Sequence, residues 1–163
     1  MALDPRTEIP STAAIGGHPI HPMLVPLPIT FLIAAFLCDL AFWGTGDPFW
    51  ARVAVWSVGA GIVGGALAAA AGFTDYMGDN RIRALHEAHH HMIGNVLAML
   101  LAIVSLIIRI IQGPEEGALP WGLLLSAIIT AILSYTGWLG GELSYRHRVG
   151  VIPDGGHDAG RRI

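Results

Sequence analysis

Four long apolar segments constrain what this chain can fold into more than any other feature of its sequence. They lie at about residues 23–43, 53–73, 92–111 and 119–141. Each is close to the roughly 20 residues that a helix needs to cross a bilayer. Because lipid offers no hydrogen-bond partners, the backbone of these segments must satisfy its own polar groups, as a helix does. The sequence therefore predicts an all-α integral membrane protein in contact with the lipid bilayer.

Composition supports this class and excludes others. Charged residues make up 13% of the chain, about half of the roughly 25% that is usual in soluble domains. The formal net charge is −3 and lysine is absent, so the basic excess of a nucleic-acid-binding protein is missing and no nucleic-acid partner is expected. The one cysteine, Cys38, excludes a disulfide framework and a cysteine-ligated zinc or iron–sulfur site.

Short connections between the four spans predict an antiparallel four-helix bundle with both termini on the same side. We expect residues 1–22 to form an N-terminal tail and leading segment, residues 23–148 the bundle, and residues 149–163 a flexible C-terminal tail. Arg52 and Arg109 fall on the far side of the bundle. The side with the termini carries seven arginines: Arg6, Arg81, Arg83, Arg146, Arg148, Arg161 and Arg162. By the positive-inside rule, that side is expected to be cytoplasmic.

The second span carries small residues at helical spacing. Gly61, Gly65, Ala68 and Gly72 lie three or four residues apart, which indicates a seam where two helices approach closely. Asp75 continues the same spacing. We therefore expect the Asp75 carboxylate to point into the bundle.

Two ionisable residues, Asp39 and Arg109, lie inside the spans near the side opposite the termini. Such residues usually face the bundle interior and pair with one another. We expect an ion pair of Asp39 with Arg109 or with Arg52. Alternatively, the Arg109 side chain reaches out to the interface.

Histidine is the unexpected residue in so apolar a chain, and every histidine falls on the side of the termini. The eight are His18, His21, His86, His89, His90, His91, His147 and His157. Asp75 and Glu142 end the second and fourth spans at the same level. Every helix therefore offers an imidazole or a carboxylate near one face of the membrane.

Prolines control the first two of these histidines. A residue before proline is pushed out of the helical region, so the run from His18 to Pro22 predicts a stiff, extended segment. Pro26 and Pro28 place the start of the regular helix at about Pro26. Both a ligand role and anchoring at the interface are consistent with His18 and His21.

The four histidines that open the third span cannot all face inward. His86 and His90 share one helical face, whereas His89 and His91 lie on others. We expect His89 to be solvated, together with His86 or His90.

Several motifs resemble a known family of bacterial four-helix membrane proteins, domain of unknown function 2231, over about residues 15–152. They are His-Pro-x-His-Pro at 18–22, Asp39, Gly-Asp-Pro-Phe-Trp at 46–50, Gly72-x-x-Asp75, His91-x-x-x-Asn95, Gly-Trp-Leu-Gly-Gly-Glu at 137–142, and Tyr-Arg-His at 145–147. Some members are fused to a Rieske iron–sulfur domain, which implies respiratory electron transfer. The resemblance also implies a bacterial inner-membrane location. It marks as characteristic polar positions His18, His21, Asp39, Asp75, His91, Glu142 and His147.

Three functions are consistent with the histidine layer. In the first, His21 and His91 are the axial ligands of a b-type haem, with His18 as the alternative to His21. Arg83 or Arg146 would then pair with the haem propionates, and electrons would pass between a quinone and a partner protein.

The second function is a non-haem site for a zinc, iron or manganese ion, since these ions accept mixed imidazole and carboxylate ligands. Its candidate ligands are His18, His21, Asp75, His91, Glu142 and His147. The third is non-catalytic: an accessory subunit that docks on a larger membrane complex or on a second copy of itself, with the histidines as a proton-sensitive network. No hydrolase-like arrangement is recognisable, so no enzymatic activity is assigned.

Overall fold

The computed structural model describes residues 8–151, and four long helices account for most of them. Counted with their adjoining turns, the candidate membrane spans are Ile20–Thr45, Pro48–Gly78, His86–Gln112 and Pro114–Arg146. The elements in chain order are β1 (Ala14–Ile15), β2 (His18–Pro19), α1 (Ile20–Leu24), α2 (Pro26–Thr45), α3 (Pro48–Gly78), α4 (Asn80–Arg83), α5 (His86–Gln112), α6 (Pro114–Gly117), a π-helical turn (Ala118–Gly122), α7 (Leu123–Gly141) and a second π-helical turn (Glu142–Arg146). The prediction of an all-α four-helix bundle is confirmed.

The first and last described residues lie at the same end of the bundle, which we call the terminal end. Ile9 forms a parallel bridge with Val149, and the Gly150 amide donates to the Ile9 carbonyl at 2.8 Å. The first and last described segments thus lie on one side of the bundle, whereas the assignment of the termini to the cytoplasmic side stays a prediction. Residues 1–7 and 152–163 of the two predicted tails, which include Arg6 and His157, lie outside the described residues.

Helix boundaries follow from residues that cap or cannot continue a helix. The regular first helix, α2, begins at Pro26 as expected, after the short helix α1. Gly46 ends α2 in the left-handed conformation with φ 68°, which glycine adopts without steric cost. Asp47 then caps α3, because its side chain accepts a hydrogen bond from the Phe49 amide at 2.9 Å.

Small residues let the helices approach closely along the seam predicted for the second span. A Cβ atom added to Gly61 would lie 2.7 Å from Leu32, and one added to Gly65 would collide with Met99. A similar close approach occurs between α5 and α7, where a Cβ atom added to Gly94 would collide with Thr136. The buried core between these contacts consists of Leu32, Ala35, Val58, Ala98, Ala102, Ile129 and Leu133.

One buried ion pair joins two helices near the end opposite the termini. An Arg109 Nη2 donates to Asp39 Oδ2 at 2.6 Å, and both side chains are fully buried. Ser126 Oγ also donates to Asp39 Oδ2, at 2.7 Å, and Arg109 Nε donates to Ser105 Oγ at 3.2 Å. The expected Asp39–Arg109 pair is confirmed. The alternative with Arg109 at the interface is wrong, because this buried carboxylate holds the guanidinium inside.

Asp75 does not point into the bundle, so that expectation is wrong. Its Oδ1 accepts hydrogen bonds from Ser11 Oγ at 2.8 Å and from the Ala13 amide at 2.7 Å. The segment before α1 folds back across the end of α3 and supplies these donors, which helical periodicity alone cannot reveal. The carboxylate therefore anchors the N-terminal segment to the terminal end.

Asp75→Ala is expected to release this segment, since hydrogen bonds to charged groups contribute roughly 1.5–3 kcal/mol each. Amide hydrogen exchange over residues 9–19 should accelerate by about tenfold or more, while exchange in α5 stays unchanged. Asp75→Asn keeps an acceptor oxygen and should show a smaller acceleration. Equal exchange in Asp75→Ala and in the parent protein would contradict this role.

The connection between α3 and α5 is short and held by polar contacts. Asp79 caps α4 by accepting from the Arg81 amide at 2.8 Å and pairs with the Arg81 guanidinium at 2.7 Å. That hydrogen-bonded guanidinium lowers the pKa of Asp79. A second small core follows, in which Ile9, Ile82 and Ala88 are buried together.

Candidate functional site

Two histidines from separate helices meet at the terminal end of the bundle. The ring centroids of His21, in α1, and His91, in α5, are 6.1 Å apart, and the ring planes are nearly perpendicular at 83°. Both side chains are half-buried. This pair joins two separate helices, whereas His86 and His90, whose ring centroids are also 6.1 Å apart, both belong to α5.

Backbone carbonyls fix how each of these rings is protonated. His21 Nδ1 lies 2.8 Å from the carbonyl oxygen of Ala68, and His91 Nδ1 lies 2.8 Å from that of Thr136. A carbonyl oxygen can only accept a hydrogen bond, so each Nδ1 must carry the proton. In the neutral rings, both Nε2 atoms are then left with a lone pair, which is the state that binds a metal.

A glycine makes room for each ring on the helix that accepts its hydrogen bond. A Cβ atom at Gly72 would lie 2.8 Å from His21 Cε1, and one at Gly140 would lie 3.3 Å from His91 Cε1. Each ring therefore turns its Cε1–Nδ1 edge toward the glycine. The Nε2 atom of each ring takes no part in the hydrogen bond that Nδ1 makes to the carbonyl.

Alanine at Gly72 is expected to lower the thermal stability of the protein in detergent. The added methyl overpacks against His21, which costs about 1–3 kcal/mol and outweighs the roughly 1 kcal/mol that alanine gains in a helix. Gly137, in α7, has open space around it and is the matched control. Gly137→Ala should leave the melting temperature unchanged or raise it. Equal melting temperatures for Gly72→Ala and Gly137→Ala would contradict the close packing of His21 against Gly72.

The other histidines lie outside this pair. His18 is exposed in β2, and His86, His89 and His90 are exposed on the first turn of α5. His89 Nε2 lies 2.9 Å from the Tyr76 hydroxyl. All three are therefore exposed at the protein surface, which agrees with turning His89 and one of the other two away from the bundle.

The carboxylates of the predicted layer are engaged elsewhere. Glu142 pairs with Arg146 at 2.9 Å, and His147 lies 3.5 Å from Glu87. Across residues 8–151, no group of three or more His, Cys, Asp and Glu side chains is arranged to hold a metal ion. The predicted ligand set therefore lies apart as individual contacts, with only His21 and His91 adjacent.

Arg83 and Arg146 lie at the terminal end but are already bound. Arg83 donates to the Met77 carbonyl at 3.1 Å and to the side chain of Asn80. The Arg146 side chain is largely exposed apart from its contact with Glu142. A propionate partner would have to displace these contacts.

Sequence reasoning missed the groups that orient the two rings. Thr136 holds His91 through its carbonyl, and its hydroxyl donates to Asn95 at 3.1 Å, while Asn95 donates to the His91 carbonyl. Carbonyl acceptors leave no mark in a sequence. The glycine of Gly72-x-x-Asp75 was the available signal, because it lies one turn beyond Ala68.

Comparison with known families agrees with the resemblance seen in the motifs. The model of a family described as "predicted membrane protein" and designated domain of unknown function 2231 matches residues 17–153. No curated protein and no solved structure matches the chain. The match includes all four candidate spans and both site histidines, so the chain belongs to the domain of unknown function 2231 family of predicted membrane proteins.

Proposed function

We propose that the protein is a membrane electron-transfer module in which His21 and His91 bind the iron of a b-type haem. The ring pair carries the proposal, because both Nδ1 atoms are held by carbonyls and both Nε2 atoms keep a lone pair. Their ring centroids are 6.1 Å apart.

The number of available ligands favours haem iron over a bare ion. A zinc ion in a protein takes three or four protein ligands, whereas residues 8–151 offer no such group. The haem macrocycle fills the equatorial positions of its iron and leaves the axial positions to side chains such as histidine. Two imidazoles without a neighbouring carboxylate match that requirement.

Lateral room for the macrocycle is the stricter condition. Two shallow hollows lie on the helix surface, one beside Trp138 and Tyr145 and one beside His86 and His90. Neither is lined by His21 or His91. A macrocycle held by this pair would need room that neither hollow provides.

The residues of this chain would then have defined tasks. His21 and His91 hold the iron, and the Ala68 and Thr136 carbonyls keep Nδ1 protonated, which raises the basicity of each ligand. When bound, haem would supply one-electron chemistry. It would exchange electrons with a quinone in the bilayer or with a protein at the terminal end. Arg83 and Arg146 are the candidate partners of the propionates.

The visible absorption spectrum of the purified full-length protein tests this function. The protein is expressed with ample haem, purified in detergent and analysed for iron and zinc. A Soret band with one haem per chain, which shifts on reduction, is expected. Protein without a Soret band, whether it is free of metal or contains zinc alone, would overturn the proposal.

A further inference from the structure

The described bundle consists of two helical hairpins, which we call hairpin 1 (residues 20–78) and hairpin 2 (residues 86–146). Within them, α2 packs on α3 and α5 packs on α7. Between them, α2 contacts α7 and α3 contacts α5. Exchanging the two hairpins exchanges these two contacts, which is the pattern that a two-fold axis between them produces.

The buried positions repeat from one hairpin to the other. In the first helices, four of the five buried residues of α2 have a buried counterpart at a difference of 70 in residue number: Pro28 with Ala98, Leu32 with Ala102, Ala35 with Ser105, and Asp39 with Arg109. In the second helices, six of the nine buried residues of α3 have a buried counterpart at a difference of 68: Ala54 with Gly122, Val58 with Ser126, Gly61 with Ile129, Gly65 with Leu133, Ala68 with Thr136, and Ala71 with Leu139. The hairpins therefore bury equivalent faces although their residues differ.

The site histidines obey the same correspondence. His21 and His91 differ by 70, and their carbonyl acceptors, Ala68 and Thr136, differ by 68. The ring pair at one end and the Asp39–Arg109 pair at the other are thus two contacts between equivalent positions. They lie 18 residues apart in each hairpin, which is about 27 Å along a helix.

Opposite charges at equivalent positions discriminate between possible partners. If hairpin 1 associated with hairpin 1 of another copy, Asp39 would face Asp39, and two copies of hairpin 2 would set Arg109 against Arg109. Buried like charges are strongly unfavourable. Only the pairing of hairpin 1 with hairpin 2 places the Asp39 carboxylate opposite the Arg109 guanidinium.

We propose that Asp39 and Arg109 are positioning residues that select the pairing of hairpin 1 with hairpin 2 and fix the register in which His21 meets His91. The inference rests on the ring contact itself and is independent of what the rings bind. Both partners are fully buried, and among the described residues Asp39 Oδ1 and Arg109 Nη1 have no hydrogen-bond partner. Such an incompletely satisfied pair contributes little net stability, so selective pairing is the role that its position supports.

An apolar replacement separates selectivity from stability. The double variant D39L/R109M is expected to fold, since buried ion pairs tolerate well-packed apolar substitutes. Two copies of it with different affinity tags, co-expressed and purified in detergent, should co-purify about tenfold more than two copies of the parent. Arg52→Met removes an exposed arginine of hairpin 1 and should leave co-purification at the parent level. Co-purification of D39L/R109M at that same level would overturn the proposal.

A charge exchange provides the second arm. D39R and R109D each create a buried like-charge pair, and both should lose more than about a hundredfold in the folded-to-unfolded ratio. Because the positions are equivalent, the exchanged pair D39R/R109D should recover at least tenfold of that loss in the same chain. Recovery supports selective pairing. An exchanged pair no more stable than either single variant would overturn it.

Discussion

Arg109→Met alone is expected to destabilise the protein by about 3–5 kcal/mol, because it leaves the Asp39 carboxylate buried without a counter-charge. Both side chains are fully buried, so water cannot replace the lost guanidinium. Ser126 would remain as a donor to Asp39 at 2.7 Å, which offsets only a part of the loss. Denaturant unfolding in mixed micelles measures the change.

Two comparisons make this result specific. Arg52→Met removes an exposed arginine and should change the free energy of unfolding by less than about 0.5 kcal/mol. Adding Asp39→Leu to Arg109→Met should recover most of the stability, since neither charge then remains in the core. An Arg109→Met variant as stable as Arg52→Met would contradict the buried pair.

If the proposed haem site is correct, His21→Ala and His91→Ala should each lower haem affinity by more than about a hundredfold, because a ligand to the iron matters at least as much as the groups that orient it. The matched controls are His86→Ala and His89→Ala, which remove exposed imidazoles at the start of α5, close to His91. They should keep the full haem content. Haem content is measured from the reduced-minus-oxidised spectrum against protein concentration.

Either of two outcomes would contradict this ligand assignment. One is full haem content in both His21→Ala and His91→Ala. The other is loss of haem in His89→Ala, which would move the site toward Tyr76 and the surface of α5. Thermal unfolding of each variant distinguishes loss of a ligand from loss of the fold.

The four spans and the Asp39–Arg109 pair could be predicted from the sequence because each depends on local pattern or on a rule about charge in lipid. Asp75 could not be placed correctly, because its partners are Ser11 and the Ala13 amide. Those donors reach it only when the N-terminal segment folds back. Helical spacing carries no information about such a segment.

The histidine layer and the candidate pair of His21 and His91 could be predicted from the sequence, whereas the groups that orient the two rings could not. The positions of the histidines relative to the spans predicted that they share one level. The rotation of each helix then turns His21 and His91 toward each other and leaves His86 and His90 exposed. The carbonyls that orient the rings are common to all residues and cannot be seen in a sequence. The correspondence of the hairpins was hidden for a related reason: equivalent positions keep their burial while their residues differ, as Leu32 and Ala102 do.

Electron paramagnetic resonance of the oxidised, haem-loaded protein tests most directly whether both imidazoles share one iron. We expect a low-spin ferric signal, the signature of two strong nitrogen ligands. We also expect conversion to high spin in any residual haem-bound fraction of His21→Ala or His91→Ala. A high-spin signal from the parent protein, or a low-spin signal that persists in both variants, would contradict coordination by His21 and His91.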